Sequence, residues 1–169
     1  MLTVLPITDT FAVAATLAPE DYERAAALGF RTVLSFLPDG EVASAVTSAR
    51  ASHLAQASGL VFAHIPASKF DLFTDNVVSA TRRMLAELPS PVLATCSSGQ
   101  RAAIVWAAAE ARSRPVDTVL LLLASAGFDL AFLRDDLDAQ ADRQRWLSHD
   151  LQPAERAGHL PAVASRAAA

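Results

Sequence analysis

"SPVLATCSSGQRAAIVWA", residues 90–107, decides how the rest of the chain is read. Its opening, "SPVLAT", has the short apolar make-up of a buried strand. "AAIVWAAAEAR", from residue 102 onward, reads as a helix. Between them lie Cys96, Ser97, Ser98, Gly99, Gln100 and Arg101. A strand that passes into a helix through a small, glycine-bearing loop belongs to α/β folds. In such folds ligands bind beyond the carboxyl ends of the strands.

The alternation extends towards the N-terminus. "FAVAATL" (residues 11–17) reads as a strand, and Pro19, Glu20 and Asp21 suit the first turn of a helix that Gly29 ends. "RTVLSFL" (31–37) is a second strand. After the turn "PDGE", Val42, Ala45, Val46 and Ala49 mark the inner face of a helix stopped by Gly59. "LVFAHI" (60–65) is a third, buried strand closed by Pro66. An amphipathic helix follows, with Val77, Val78, Thr81, Met84, Leu85 and Leu88 at helical spacing and Thr74 as its N-cap. Beyond residue 102 the pattern contains only helices. In the last of them Leu130, Leu133, Leu137 and Ala141 share one side, while Asp135, Asp136 and Asp138 face water. Strands alternating with helices predict a mainly parallel sheet of about four to five strands, flanked by helices. The spacing predicts one α/β domain over residues 1–147 and a mobile tail over 148–169, where Ala, Pro and Arg leave little to bury.

Composition narrows the function. The 169 residues are 52% hydrophobic and 19% charged, enough for one substantial core and far from a disordered composition. The 14 basic residues, with Lys69 the lone lysine, are outweighed by 18 acidic ones, giving a net charge of -4. Nucleic acid is not an expected partner, because binding its phosphates needs a basic face. No apolar run is long enough to span a bilayer, and "MLTVLPITDT" lacks the pattern of a signal peptide. A lone cysteine allows no internal disulfide, so a cytoplasmic protein is expected. His53, His64, His149 and His159 are scattered without metal-ligand spacing, and neither a metal nor a cofactor is expected. His64 reads as a hydrogen-bonded core histidine, and Trp106 and Trp146 read as core packing. Asp39 and Gly40 are explained by turn chemistry. Oligomeric state leaves no mark in the sequence.

The chemistry therefore concentrates at Cys96. The residues Ser97, Ser98, Gly99 and Gln100 are small or flexible enough for successive amides to converge, and the first amides of the following helix lack internal partners. Together they predict an anion nest. The helix dipole and the Arg101 guanidinium would favour a thiolate at Cys96, and so a nucleophile. A lone cysteine is otherwise a small buried hydrophobe, and it is the strand, loop and helix together that support the catalytic reading.

At these residues the sequence resembles the cysteine-dependent protein phosphatases and the rhodanese sulfurtransferases. More closely, it is similar to the phosphatase-like domain family of beta-lactamase-hydrolase-like proteins. The resemblance runs from about residue 11 to 132 and includes "PEDYERAAALGFRTVLSFLPDGE", "AQASGLVFAHIP" and "ASAGFDL". It implies a protein-tyrosine-phosphatase-like fold and hydrolysis of a small anionic or phosphorylated substrate through a phosphocysteine on Cys96. Ser97, Ser98, Gly99, Gln100 and Arg101 would hold the phosphate oxygens. It also implies a carboxylic acid in the loop after the third strand, which points to Asp71, with Asp75 serving its own helix instead. Four residues separate Cys96 from Arg101, a rhodanese length, where phosphatases of this type have five. A rhodanese would instead carry a persulfide on Cys96, but it returns to the sheet with another strand after this loop. The family's usual His, Ser or Thr, and Arg are here Thr95, Ala102 and Leu37. These departures keep open a third reading, a weakly catalytic module that binds an anion or a phosphoprotein.

Overall fold

The computed structural model describes residues 2–150. Five strands make one sheet: β1 (Leu5–Thr8), β2 (Phe11–Ala14), β3 (Thr32–Ser35), β4 (Val61–His64) and β5 (Val92–Thr95). Their spatial order is β1-β2-β5-β3-β4. β5 pairs in parallel with β2 and β3, β3 pairs in parallel with β4, and only β1 is antiparallel to its neighbour. The strand that leads to the cysteine is thus central, and all four of its residues are buried.

Period-two alternation sends successive strand residues to opposite faces. Ala12, Ala14, Val33 and Leu93 meet one layer, made by helices α1 (Asp21–Ala27) and α2 (Ser48–Ala57). Phe11, Val13, Leu34, Val92 and Ala94 meet the other. That second layer contains α3 (Asp75–Glu87), α4 (Gln100–Glu110), α5 (Val116–Ser125) and α6 (Arg134–Asp150), the last preceded by a 3₁₀ turn over Ala131–Leu133. Ala102, Ala103, Ala107, Ala108 and Ala109 let α4 lie close among its neighbours, buried on nearly every side. Trp106 is buried as expected and stacks on Phe11, with ring centroids 5.5 Å apart.

Several expectations need correction. α2 begins at Ser48, not near Val42, and residues 38–47 form an irregular loop. The helix start is fixed by two side chains: Thr47 Oγ1 accepts from the Arg50 amide at 3.4 Å, and Asp39 accepts from the Ser48 amide and hydroxyl, both at 2.6 Å. Ser48 is also the first cause of the lowered pKa of Asp39. α1 starts at Asp21, whose carboxylate accepts from the Ala18 amide and pairs with Arg24. β4 is an edge strand, half-buried rather than enclosed. Thr74 stands at the N-cap of α3, but its hydroxyl donates to the Asp71 carbonyl instead of capping the helix. Trp146 is 72% exposed, because its turn of α6 extends beyond the apolar seam of Leu133 and Leu137. α6 runs to Asp150, and residues 151–169 of the expected tail lie outside the described residues.

α3, α6 and the turn that follows α4 are tied by a polar network in an otherwise apolar layer. The Arg112 guanidinium donates to Asp75 at 2.8 Å, to Ser79 at 2.9 Å and to the Gln140 side-chain carbonyl at 2.8 and 2.9 Å. Gln140 in turn donates to the Phe73 carbonyl, and Arg143 reaches the same Asp75 oxygen. Arg112, then Arg143, holds the Asp75 carboxyl below its ordinary range.

Candidate active site

The cysteine loop leaves the carboxyl end of β5 and turns into α4 at Gly99. Gly99 has φ +89°, and a Cβ there would lie 3.4 Å from the backbone carbon and oxygen of Ala14 on β2. A left-handed conformation beside a neighbouring strand explains why this position is glycine. The turn points the Gly99 amide at Cys96 Sγ, 3.1 Å away. Gln100 and Arg101 follow in the first helical turn, where backbone N–H groups have no partner within the helix. Ser97 and Ser98 stand exposed at the crest, whereas Cys96 is fully buried and Ala102 behind it is packed without a hydroxyl.

Arg101 joins this loop to two others. Its Nη1 donates to the Ala67 carbonyl at 2.7 Å, and Nη1 and Nη2 donate to the two carboxylate oxygens of Glu41 at 3.1 and 2.5 Å. Those bonds use three of the five guanidinium N–H groups, leaving Nε–H and one Nη2–H. The arginine is 13% exposed and the glutamate 33%, so the pair is shielded without being enclosed. Glu41 comes from the loop after β3 and Ala67 from the loop after β4.

Beside Cys96 is a cavity of about 20 Å³, whose walls include Tyr22, Ser35, Asp39, Val46 and Thr95. That is room for about one water molecule. Burial pushes the Tyr22 hydroxyl up to about 12, which keeps it protonated near neutrality. His64 Nε2 lies 2.8 Å from the Leu37 carbonyl, fixing the chain just before the "PDGE" turn.

The expected site residues Cys96, Ser97, Ser98, Gly99, Gln100 and Arg101 form one continuous loop here. Asp71 belongs to the loop that contacts Arg101 through Ala67, but its carboxylate is turned to its own segment. It accepts from the Ser68 hydroxyl at 2.6 Å and from the Ser68 amide at 3.3 Å. Glu41, not Asp71, is the carboxylate joined to the arginine. Sequence reasoning missed it. The available signal was an acidic residue in a loop beyond a strand carboxyl end, but local turn chemistry accounts for "PDGE" equally well. Among the described residues, no group of three or more His, Cys, Asp or Glu could hold a metal ion, and no helix is long and apolar enough to cross a membrane.

A mostly parallel five-stranded sheet whose central strand ends in a cysteine loop, followed only by helices among the described residues, defines a protein-tyrosine-phosphatase-like fold. Residues 4–113 match the phosphatase-like domain of beta-lactamase hydrolase-like protein, and the chain belongs to that family. A curated relative, the beta-lactamase hydrolase-like protein of Agrobacterium fabrum, is 30% identical over 91 residues, 54% of this chain. The match covers 21% of that relative, so the chain corresponds to about a fifth of its length. A crystal structure of a Neisseria meningitidis protein, provisionally named a phosphatase, is 28% identical. The superposition covers 80% of this chain and 96% of that one at a TM-score of 0.71. PTPMT1, at 12% identity, shares the fold with a TM-score of 0.62 over 88% of this chain and 99% of its own.

Proposed function

We propose that residues 96–101 are the catalytic cradle of a cysteine-dependent phosphatase acting on a phosphate monoester. The observation that carries this reading is the Gly99 amide aimed at Cys96 Sγ from 3.1 Å, with Arg101 fixed two residues further on. In this scheme the Cys96 thiolate attacks phosphorus. The S–P bond forms as the P–O bond to the alcohol breaks, and the departing oxygen takes a proton from an acid. Asp71 is our candidate for that acid, provided it turns away from Ser68. Water then attacks phosphorus, releasing inorganic phosphate and the thiolate. The loop amides and two N–H groups of Arg101 would hold the equatorial oxygens. Such preorganised donors contribute about 3 kcal/mol each when they bond more strongly to the transition state than to the ground state.

The four-residue spacing between Cys96 and Arg101 favours a second reading, sulfur transfer through a Cys96 persulfide. The helices that follow the loop favour the first. One experiment with three arms separates them: turnover of p-nitrophenyl phosphate, turnover of thiosulfate with cyanide, and the same assays on Cys96→Ser. Phosphatase activity in the native chain alone, lost in the serine variant, is the expected result. Thiocyanate formation without phosphate release would replace it with the sulfurtransferase. Anion binding without either turnover would leave only a binding module.

A further inference from the structure

The loop over residues 38–47 bears on the cradle in a way its turn chemistry does not explain. Its two ends are fixed: His64 holds the Leu37 carbonyl, and Asp39 takes both the amide and the hydroxyl of Ser48. Between those posts, Gly40 has φ +82° with open space around it. Apart from a turn bond to the Pro38 carbonyl, the hydrogen bonds that tie residues 40–46 to the rest of the protein, among the described residues, are those from Arg101 to Glu41. The same segment supplies Ala45 and Val46 to the wall of the cavity beside Cys96.

Two observations show what this arrangement does. The sulfur of Cys96 is fully covered, and the cavity at its side, walled in part by Ala45 and Val46 of this segment, is only of water size. The Glu41 carboxylate also lies bidentate on the arginine that would take the anion, a geometry in which carboxylate and phosphate are equivalent ligands. From these we infer that residues 38–47 are a lid, and that Glu41 is its latch, an internal anion that occupies Arg101 until an incoming oxyanion displaces it. This inference rests on residues 96–101 being an anion cradle. Opening exchanges one ion pair for another, so the guanidinium remains partnered throughout. The hinge posts at Leu37 and Ser48 stay in place, and Gly40 supplies backbone freedom between them.

The latch makes a prediction opposite to that of a supporting role for Glu41. If Glu41 only steadied the guanidinium, Glu41→Gln would weaken anion binding. If it is a latch, the neutral amide holds Arg101 less strongly, and both access and affinity rise. Because the chain has one cysteine, alkylation by iodoacetamide reports a single site. The experiment measures the rate of that reaction in the native protein and in Glu41→Gln, with and without inorganic phosphate as protectant. A pair this exposed contributes modestly, so the variant should alkylate about fivefold faster and be half-protected at roughly one fifth of the phosphate concentration. Equal or slower alkylation in the variant, or weaker protection, overturns the latch. Failure of phosphate to protect either protein removes the cradle and the latch with it. Protection of both, without a difference between them, removes the latch alone.

Discussion

Replacing Arg101 with alanine separates a catalytic role from a structural one, because the two are expected to differ greatly in size. On the structural side, the substitution removes bonds to Glu41 and to the Ala67 carbonyl. The pair is partly exposed, so its loss should cost about 1 kcal/mol, or roughly 2–4 °C in melting temperature for a chain of this length. On the catalytic side, the substitution removes two N–H donors to substrate oxygens. At about 3 kcal/mol each, and a factor of ten for every 1.36 kcal/mol, kcat/KM should fall by about 10⁴. The assay is phosphate release from p-nitrophenyl phosphate, run alongside a calorimetric melt on the same preparation. A fall below about tenfold in a variant that melts within a few degrees of the native protein would refute the assignment. Loss of activity accompanied by general unfolding would instead show that Arg101 mainly ties three loops together.

Two further outcomes concern stability. Arg112→Met keeps the bulk of the side chain but leaves the buried Gln140 carbonyl without its donor, while Asp75 retains Arg143. The expected cost is about 2–4 kcal/mol, or roughly 10 °C by calorimetry; a shift under about 2 °C would count against it. The second concerns acid. Asp75 and Asp39 both have lowered folded-state pKa values, Asp75 chiefly through Arg112 and Asp39 through Ser48. Their stabilisation is therefore fully present above the unfolded value of about 3.9 and is lost as pH falls through the lower folded values. The urea midpoint should be insensitive to these groups from pH 5 to 7 and decline below about pH 4. Asp75→Asn should flatten that decline, and an unchanged acid limb would contradict the linkage.

The central parts of the fold were legible because their signals are local. The apolar run before Cys96, the glycine at the turn and the alanine-rich helix after it lie within one short window, so the loop could be assembled from sequence. The features that were misread depend on distant partners. Val42, Ala45, Val46 and Ala49 have helical spacing, yet Asp39 and Thr47 fix the helix start at Ser48, which no periodicity reveals. β1 was hidden because Pro6 interrupts a four-residue strand and its pairing with β2 is not a local property. The same distinction holds at the site. Cys96, Gly99 and Arg101 are neighbours in sequence, but Glu41 lies 60 positions and Ala67 34 positions from Arg101. Both arrive from the carboxyl ends of other strands.

The network around Arg112 also affects where the chain can be shortened. The family match ends at residue 113, just after this arginine enters the interior, whereas Gln140, which satisfies it and secures the Phe73 carbonyl, is on α6. A fragment trimmed to the matched segment would strand a guanidinium in a wall stripped of Leu123, Leu133 and Leu137. A piece that keeps this guanidinium partnered therefore reaches well past the segment matched at the family level, and its last helix is a keystone rather than an appendage.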